Sequence, residues 1–326
     1  MNEDGSYNAE EFNFLQAYNG ESKLLLALPQ LAWEDLETTA SSETYLDNAR
    51  NLYNTKGVRG YGLLSFQYKL PTDLSQQVGH ISHFYDTLKK ELQAGDLQNK
   101  FTNFFSVQPR QLSSAKDTFK RLLTELQGRV KFIILETFTR THEKSCVVEA
   151  ASSWGPEGLF GDFQPNIRST LDLAMSIDSA QSTVYVLSFS LLATKFAYVK
   201  GTRDDLVGKS CSYATYASFY KYCQRGDGEE ERWTTYDDTN FYEFDADPSN
   251  VYSFETARSI EDKIRRSSAY LGATRLELGW MAFNLSTSID NGTCVGEQLR
   301  LLKARRVIND IQPKHSSLKR RGDANC

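Results

Sequence analysis

The chain has 326 residues, a formal net charge of -5, 40% hydrophobic residues and 24% charged residues, a composition that excludes intrinsic disorder. Its basic cluster lies in the C-terminal "KHSSLKRRGDANC", so no nucleic-acid-binding surface is expected. No apolar run reaches the roughly 18 residues needed to span a membrane, and the acidic N-terminus does not read as a signal peptide. The five cysteines and four histidines lack zinc-site spacing, so we expect neither a metal nor a cofactor.

Short apolar runs alternate along the chain with amphipathic stretches, a pattern that predicts a parallel sheet covered by helices. The predicted strands are 22–30, 57–70, 99–109, 129–138, 182–192 and 276–286. The predicted helices are 42–57, 81–93, 113–128, 166–179, 253–272 and 294–311. Six strands with intervening helices fall two short of a closed barrel of this type.

The alternation breaks between residues 196 and 255. This segment is rich in Tyr, Trp, Phe, Thr and Asp, and it predicts a small inserted β-rich subdomain rather than a linker.

The order of several short segments resembles the C-terminal half of family 18 glycoside hydrolases, the chitinases and chitinase-like lectins. The matching segments are "LSFSLLATKF", "SFYKYCQ", Trp233 with "TYDD", "YSFETARSIEDKI", "LGWMAFNL" and "NGTC". Further upstream, "SKLLLALPQ" is similar to the family's third barrel strand, "GYGLLSFQY" to its catalytic strand and "VKFIILETFTRTHEK" to its sixth strand.

This resemblance implies an α/β fold of the (β/α)8 TIM-barrel type, with an α+β insertion before the last strand. The barrel would comprise residues 10–195 and 256–312, the insertion 196–255, and a basic disordered tail 313–326. The family's first two barrel strands have no counterpart in this sequence.

The family's chemistry needs acids that the corresponding strand lacks. In family 18 the substrate's acetamido oxygen is the nucleophile, one Glu protonates the glycosidic oxygen, and Asp-x-Asp-x-Glu spacing places the acids on one strand face. Here the proton donor aligns with Gln67, or with Phe66 if no gap is allowed, and the two Asp positions then fall on Gly62 and Leu64. A glutamine cannot transfer the proton.

A second polar pair of the family, Tyr-Asp on the sixth strand, aligns with Phe138 and Thr139. Five degenerate positions result, and we predict no catalytic residue: Gly62, Leu64, Gln67, Phe138 and Thr139. Glu136 is the one nearby acid that could replace those lost. We expect it instead at the rim, in water or paired with Arg140.

Glycan binding needs aromatic side chains, because ring faces stack on the apolar faces of sugars. The family's floor tryptophan aligns with Phe283, and Trp280 lies three residues earlier, where strand periodicity favours packing against helices. The predicted ligand-binding residues are Gln67, Tyr68, Phe138, Phe283 and Trp280.

Two cysteines, Cys223 and Cys294, match the family positions that bridge the insertion to the loop after the last strand. Cys146 and Cys211 would then form a second pair, whereas a cytosolic chain would keep free thiols. Asn291 begins a glycosylation sequon.

Together these features predict a catalytically inactive chitinase-like protein, secreted in its full-length form, that binds chitin, a chito-oligosaccharide or another glycan containing N-acetylglucosamine. One alternative is a weak glycoside hydrolase with relocated acids. Another is a growth-factor-like or protein-interaction module without glycan binding.

Overall fold

A computed structural model describes most of the chain, and every structural statement below concerns the described residues. They are 24–28, 43–56, 58–66, 71–92, 102–109, 112–138, 146–155, 166–177, 183–197, 208–217, 233–236, 239–244, 247–272, 274, 276–283 and 304–311. They belong to two compact units. The described residues within Met1–Glu136, Leu173–Val186 and Arg275–Gly279 form the first unit, and the remainder form the second.

Six strands form a curled sheet in the order β1-β2-β3-β4-β5-β11. They are β1 Leu24–Leu28, β2 Val58–Phe66, β3 Phe104–Val107, β4 Phe132–Leu135, β5 Val184–Ser190 and β11 Leu278–Phe283. The helices are α1 Glu43–Lys56, α2 Pro71–Leu92, α3 Leu112–Leu126, α4 Ile167–Met175, α5 Ala257–Leu271 and α6, residues 304–311. This helix-flanked half-barrel confirms the predicted fold class.

The first four strands pair in parallel, and their alternating side chains define two faces. The Tyr61 side chain reaches α1, where its hydroxyl donates to the carbonyl of Ala49 at 2.8 Å. Tyr61 therefore marks the helix-facing side of β2. Gly62, on the opposite parity, belongs to the inner face.

A side chain from α2 takes part in the pairing of β2 with β3. The hydroxyl of Tyr85 donates to the carbonyl of Phe104, and the amide of Leu63 donates to that hydroxyl at 3.2 Å. Burial raises the pKa of the tyrosine cluster, formed by Tyr45, Tyr61 and Tyr85, above the ordinary value.

Helix boundaries follow local chemistry. Helix α2 is longer than its predicted range 81–93 because it begins at Pro71, which is pre-organised for the first helical position. Helix α5 begins after Thr256, whose hydroxyl accepts from the amide of Ser259, while Ser259 reciprocally accepts from the amide of Thr256. Gly272 follows its last residue with a φ of 52°.

A second sheet lies within the second unit. Its five strands are antiparallel and have the order β7-β6-β10-β9-β8. Their bounds are β6 Ala193–Ala197, β7 Tyr213–Ala217, β8 Trp233–Tyr236, β9 Thr239–Phe244 and β10 Asp247–Phe254. Val148, Ala150, Phe196 and Val251 form its buried cluster. The predicted domain boundaries, including the tail beyond the described residues, stay predictions.

Candidate functional site

The end of β2, where the family's catalytic acids would lie, contains a β-bulge. Leu63 pairs with Phe105 and Phe66 pairs with Val107, so β2 uses one residue more than β3 over this interval. Ser65, inside the bulge, has a φ of 61°, which is uncommon for a residue other than glycine. The extra residue places Phe66 on the same face as Leu63.

This register bears on the two sequence alignments. Phe66 is 4% exposed and its ring lies 5.7 Å from that of Phe105 on the helix-facing side. The Phe66 side chain therefore does not face inward, as the gapless alignment would require of a proton donor, whereas Gly62, upstream of the bulge, keeps its position on the inner face. Gln67 and Tyr68 lie outside the described residues. Leu64 is half-buried within the bulge.

Gly62, at one of the aspartate positions, has no space for a side chain. A Cβ built on it would lie 2.0 Å from the carbonyl oxygen of Phe104 and 2.7 Å from Cγ of the same residue. Such contacts are far shorter than any that packed atoms tolerate. The close approach of β3 thus leaves no room for an aspartate side chain at Gly62 in this structure.

The inner face of the first unit carries one hydrogen-bonded acid. Glu136 directly follows β4 and is fully buried, and the hydroxyl of Ser106 in β3 donates to its Oε1. The expectation that Glu136 lies at the rim in water is wrong. Strand parity explains its burial, since Ser106 pairs with Ile134 and therefore shares its face with Glu136. Arg140 lies outside the described residues.

Thr137, which follows Glu136, forms hydrogen bonds in both directions with Ser188 of β5 in the second unit. Thr137 donates from its amide to Oγ of Ser188 at 3.1 Å and from its hydroxyl to the carbonyl of Ser188 at 2.6 Å. The amide of Ser188 returns a bond to Oγ1 of Thr137 at 3.2 Å. Both residues are fully buried, so this pair holds the following residue, Phe138, in a defined position.

Two predicted ligand residues meet in the second unit. The rings of Phe138 and Phe283 lie 4.7 Å apart at 45°, with Phe138 buried and Phe283 half-buried. This pair offers an apolar aromatic surface without a polar donor. Thr139 lies outside the described residues.

Trp280 lies on the other side of β11 from Phe283. It packs with Ala282 against the cluster of Phe189, Ile260 and Val307, on the side of α5 and α6. Strand periodicity favours this helix-packing position. Its predicted contact with ligand has no support from this placement.

A buried ionic cluster in the second unit was not expected from the sequence. Nζ of Lys263 lies 2.5 Å from Oε1 of Glu255, and both side chains are almost completely buried. Ser152 donates to Oε1 of Glu255 and Ser259 to Oε2, each at 2.5 Å. The segment "YSFETARSIEDKI" quoted above contains three of its members, Glu255, Ser259 and Lys263. Their pairing with Ser152, 111 residues from Lys263, has no local signal.

The disulfide between Cys146 and Cys211 confirms the second of the suggested pairings, with Cα atoms 4.9 Å apart. It joins the segment before Val148 to the residues preceding β7, where Val148 and Lys209 also share a backbone hydrogen bond of 2.9 Å. Cys223, Cys294 and Asn291 lie outside the described residues, so that disulfide and that glycosylation site stay predictions.

The described residues also bear on two other classes of site. No group of three or more His, Cys, Asp or Glu side chains is arranged there to hold a metal ion. No helix in the same ranges is long and apolar enough to cross a membrane.

Comparison with solved structures identifies proteins of the same fold. A group IV chitinase from Ostrinia furnacalis, solved with allosamidin, superposes with a TM-score of 0.69 at 12% identity, covering 95% of this chain and 88% of that one. Human YKL-39, a pseudo-chitinase with retained chitooligosaccharide binding, gives 0.65 at 11% identity over 92% and 84%. A chitinase-like agglutinin from Robinia pseudoacacia gives 0.60 at 11% identity over 90% and 84%.

Sequence comparison gives no match, either to a protein-family model or to a curated protein. The structural similarities establish that the chain has the fold shared by family 18 chitinases and chitinase-like proteins. The fold that the sequence resemblance predicted is thereby confirmed.

Proposed function

We propose that this protein is a catalytically inactive chitinase-like protein that binds chitin or another glycan containing N-acetylglucosamine. The observation that carries this proposal is the packing of Gly62 against Phe104, which leaves no room for an acid at a family aspartate position. Loss of a general acid alone costs about 10²- to 10⁴-fold in rate. The neighbouring family positions, Leu64 and Gln67, are not acids either.

Glycan binding does not require the catalytic acids, because it depends on different side chains. The aromatic pair Phe138 and Phe283 provides apolar surface suited to the faces of sugar rings. Among proteins of this fold, one is described as a pseudo-chitinase that retains chitooligosaccharide binding and another as an agglutinin. These precedents support glycan binding here.

Secretion of the full-length protein forms part of the proposal. The disulfide between Cys146 and Cys211 supports it, because disulfides persist in oxidising compartments. The sequon at Asn291 would then be accessible to glycosylation.

Retention on chitin beads, with elution by a soluble chito-oligosaccharide, tests the binding proposal. We expect Phe283→Leu, which removes one ring of the aromatic pair, to weaken binding about ten-fold, equivalent to about 1.4 kcal/mol. Phe189→Leu is the matched control, because its ring lies on the helix side, 6.5 Å from that of Trp280. Retention that ignores the soluble competitor would contradict a lectin role.

Catalytic inactivity has its own test. We expect no release of fluorophore from a chito-oligosaccharide glycoside by the wild-type protein. Release that disappears in Glu136→Gln or Gln67→Ala would instead establish the alternative, a weak hydrolase with relocated acids. The buried position of Glu136 beneath the Ser106 hydrogen bond argues against that alternative. If binding and hydrolysis are both absent, a protein-interaction module becomes the leading function.

A further inference from the structure

Charge is distributed unevenly along the chain. Residues 303–326 contain seven lysine or arginine residues and two aspartates, a net charge of +5. The remaining 302 residues contain 30 basic and 40 acidic residues, a net charge of -10. We call residues 303–326 the basic segment. A short segment of opposite sign gives an acidic protein a local positive potential, which is typical of an element that binds a polyanion.

Helix α6 is the part of the basic segment that the structure describes, and it is anchored by one face. Four apolar side chains of α6 lie in or against the cluster around Phe189 in the second unit: Ala304, Val307, Ile308 and Ile311. The helical period places Arg305 and Arg306 on the opposite face, where both are exposed. Burial of the apolar face therefore presents two neighbouring guanidinium groups to solvent.

These two arginines differ from those of α5. Arg265 is paired with Glu261 at 2.9 Å, which offsets its charge locally. Within the described residues, neither Arg305 nor Arg306 forms a hydrogen bond or an ion pair, and Asp310, one turn beyond Arg306, is not paired with it. The other cations of the basic segment lie outside the described residues, so only their charge is considered.

The composition of the basic segment distinguishes between classes of polyanion. Four of its seven cations are arginines, whose paired N–H donors match the oxygens of a sulfate or phosphate group. It contains no Phe, Trp or Tyr, the residues on which proteins commonly stack the bases of single-stranded nucleic acids. The apolar face of α6 is buried in protein and is not available for insertion into a membrane.

We propose that the basic segment binds a sulfated polysaccharide, with Arg305 and Arg306 as its fixed contacts. The choice of a sulfated glycan over a nucleic acid rests in part on the secretion proposed above, whereas the site itself is independent of the chitin site. Contacts of this kind gain affinity from the release of counterions, so binding should weaken steeply as the salt concentration rises.

The test measures binding of the full chain to a heparin dodecasaccharide by calorimetry between about 50 and 200 mM salt. We expect Arg305→Gln/Arg306→Gln to weaken binding at least about ten-fold and to reduce the slope of log affinity against log salt by roughly one to two. The control, Lys116→Gln/Arg121→Gln, removes the same charge from exposed positions of α3. It should change binding by less than about two-fold, because those positions belong to a different helix, outside the basic segment.

Three outcomes would overturn the proposal. They are equal losses in the two double variants, equal affinity for the heparin oligomer and its desulfated form, and tighter binding of oligothymidylate or of phosphatidylserine vesicles than of heparin. Lys319→Gln/Arg320→Gln/Arg321→Gln should also weaken heparin binding, since it removes three further cations of the basic segment. Retention of Arg305→Gln/Arg306→Gln on chitin beads should equal that of the wild type, so failure of either site is detected separately.

Discussion

Replacing Gly62 by alanine tests the packing argument against a catalytic acid most directly. The new Cβ would lie 2.0 Å from the carbonyl oxygen and 2.8 Å from the carbonyl carbon of Phe104. Both are backbone atoms, so no side-chain rotation relieves the contact. Strands β2 and β3 would have to separate by about 1.4 Å to bring the 2.0 Å contact to ordinary van der Waals spacing.

The energetic cost follows from what must move. Overpacking of a well-packed core typically costs about 1–3 kcal/mol, and displacement of backbone places this case at or beyond the upper end. Separation would also strain the hydrogen bonds through which the hydroxyl of Tyr85 joins Leu63 to Phe104. We therefore expect Gly62→Ala to lower the free energy of unfolding by about 3 kcal/mol or more.

A second glycine provides the matched control. Gly79 lies on an exposed position of α2, and a Cβ built there meets no atom within 4 Å. Gly79→Ala should raise the free energy of unfolding by about 1 kcal/mol, because alanine is the better helix former. Urea unfolding followed by circular dichroism measures both variants. A Gly62→Ala protein as stable as the wild type would refute the close approach of β3, and with it the steric exclusion of an acid.

Three further predictions concern stability. Lys263→Met should lower the free energy of unfolding by about 3–5 kcal/mol, because Glu255 is left as an uncompensated buried charge. The double variant Lys263→Met/Glu255→Gln should recover most of this loss in urea titrations, and a loss below about 1 kcal/mol in the single variant would contradict the prediction. Burial raises the pKa of the tyrosine cluster above 10.0, so its contribution to stability is complete below pH 10 and is lost as the pH rises through the raised values, where only the unfolded chain has released these protons. Tyr61→Phe should reduce the alkaline fall in stability by up to about 1.4 kcal/mol per pH unit, measured by urea unfolding between about pH 8 and 11, and an unchanged slope would exclude this tyrosine as a cause. Cys146→Ser/Cys211→Ser should lower the free energy of unfolding by about 4 kcal/mol, the chain-entropy value for a separation of 65 residues, and unchanged thermal stability would contradict the pairing.

The strand predictions succeeded where the pattern was local. Each of the six predicted barrel strands contains an observed strand, because a short run of buried residues bounded by turns carries its own signal. The helix boundaries were less accurate. Helix α2 begins ten residues before its predicted start, at Pro71. Proline is favoured at the first helical position, whereas the weak apolar periodicity of that turn did not indicate a helix.

Residues of the candidate site were predicted less well than the elements that carry them. The sequence identified Phe138 and Phe283 on separate strands through a family resemblance, and the structure brings their rings together. It assigned Glu136 to the solvent-exposed rim, because glutamate is seldom buried without a partner. The partner was Ser106, 30 residues earlier and on the neighbouring strand.

The sequence by itself determined the alternation of strands and helices, the position of the β-rich segment and the absence of acids from the "GYGLLSFQY" strand, since all three depend on residue identity and short-range periodicity. Only the tertiary structure decided which way the residues of that strand face. The bulge at Ser65 and the contact between Gly62 and Phe104 arise from the pairing of β2 with β3. Pairing between strands is a nonlocal interaction, and a shift of one residue reverses every side chain beyond it.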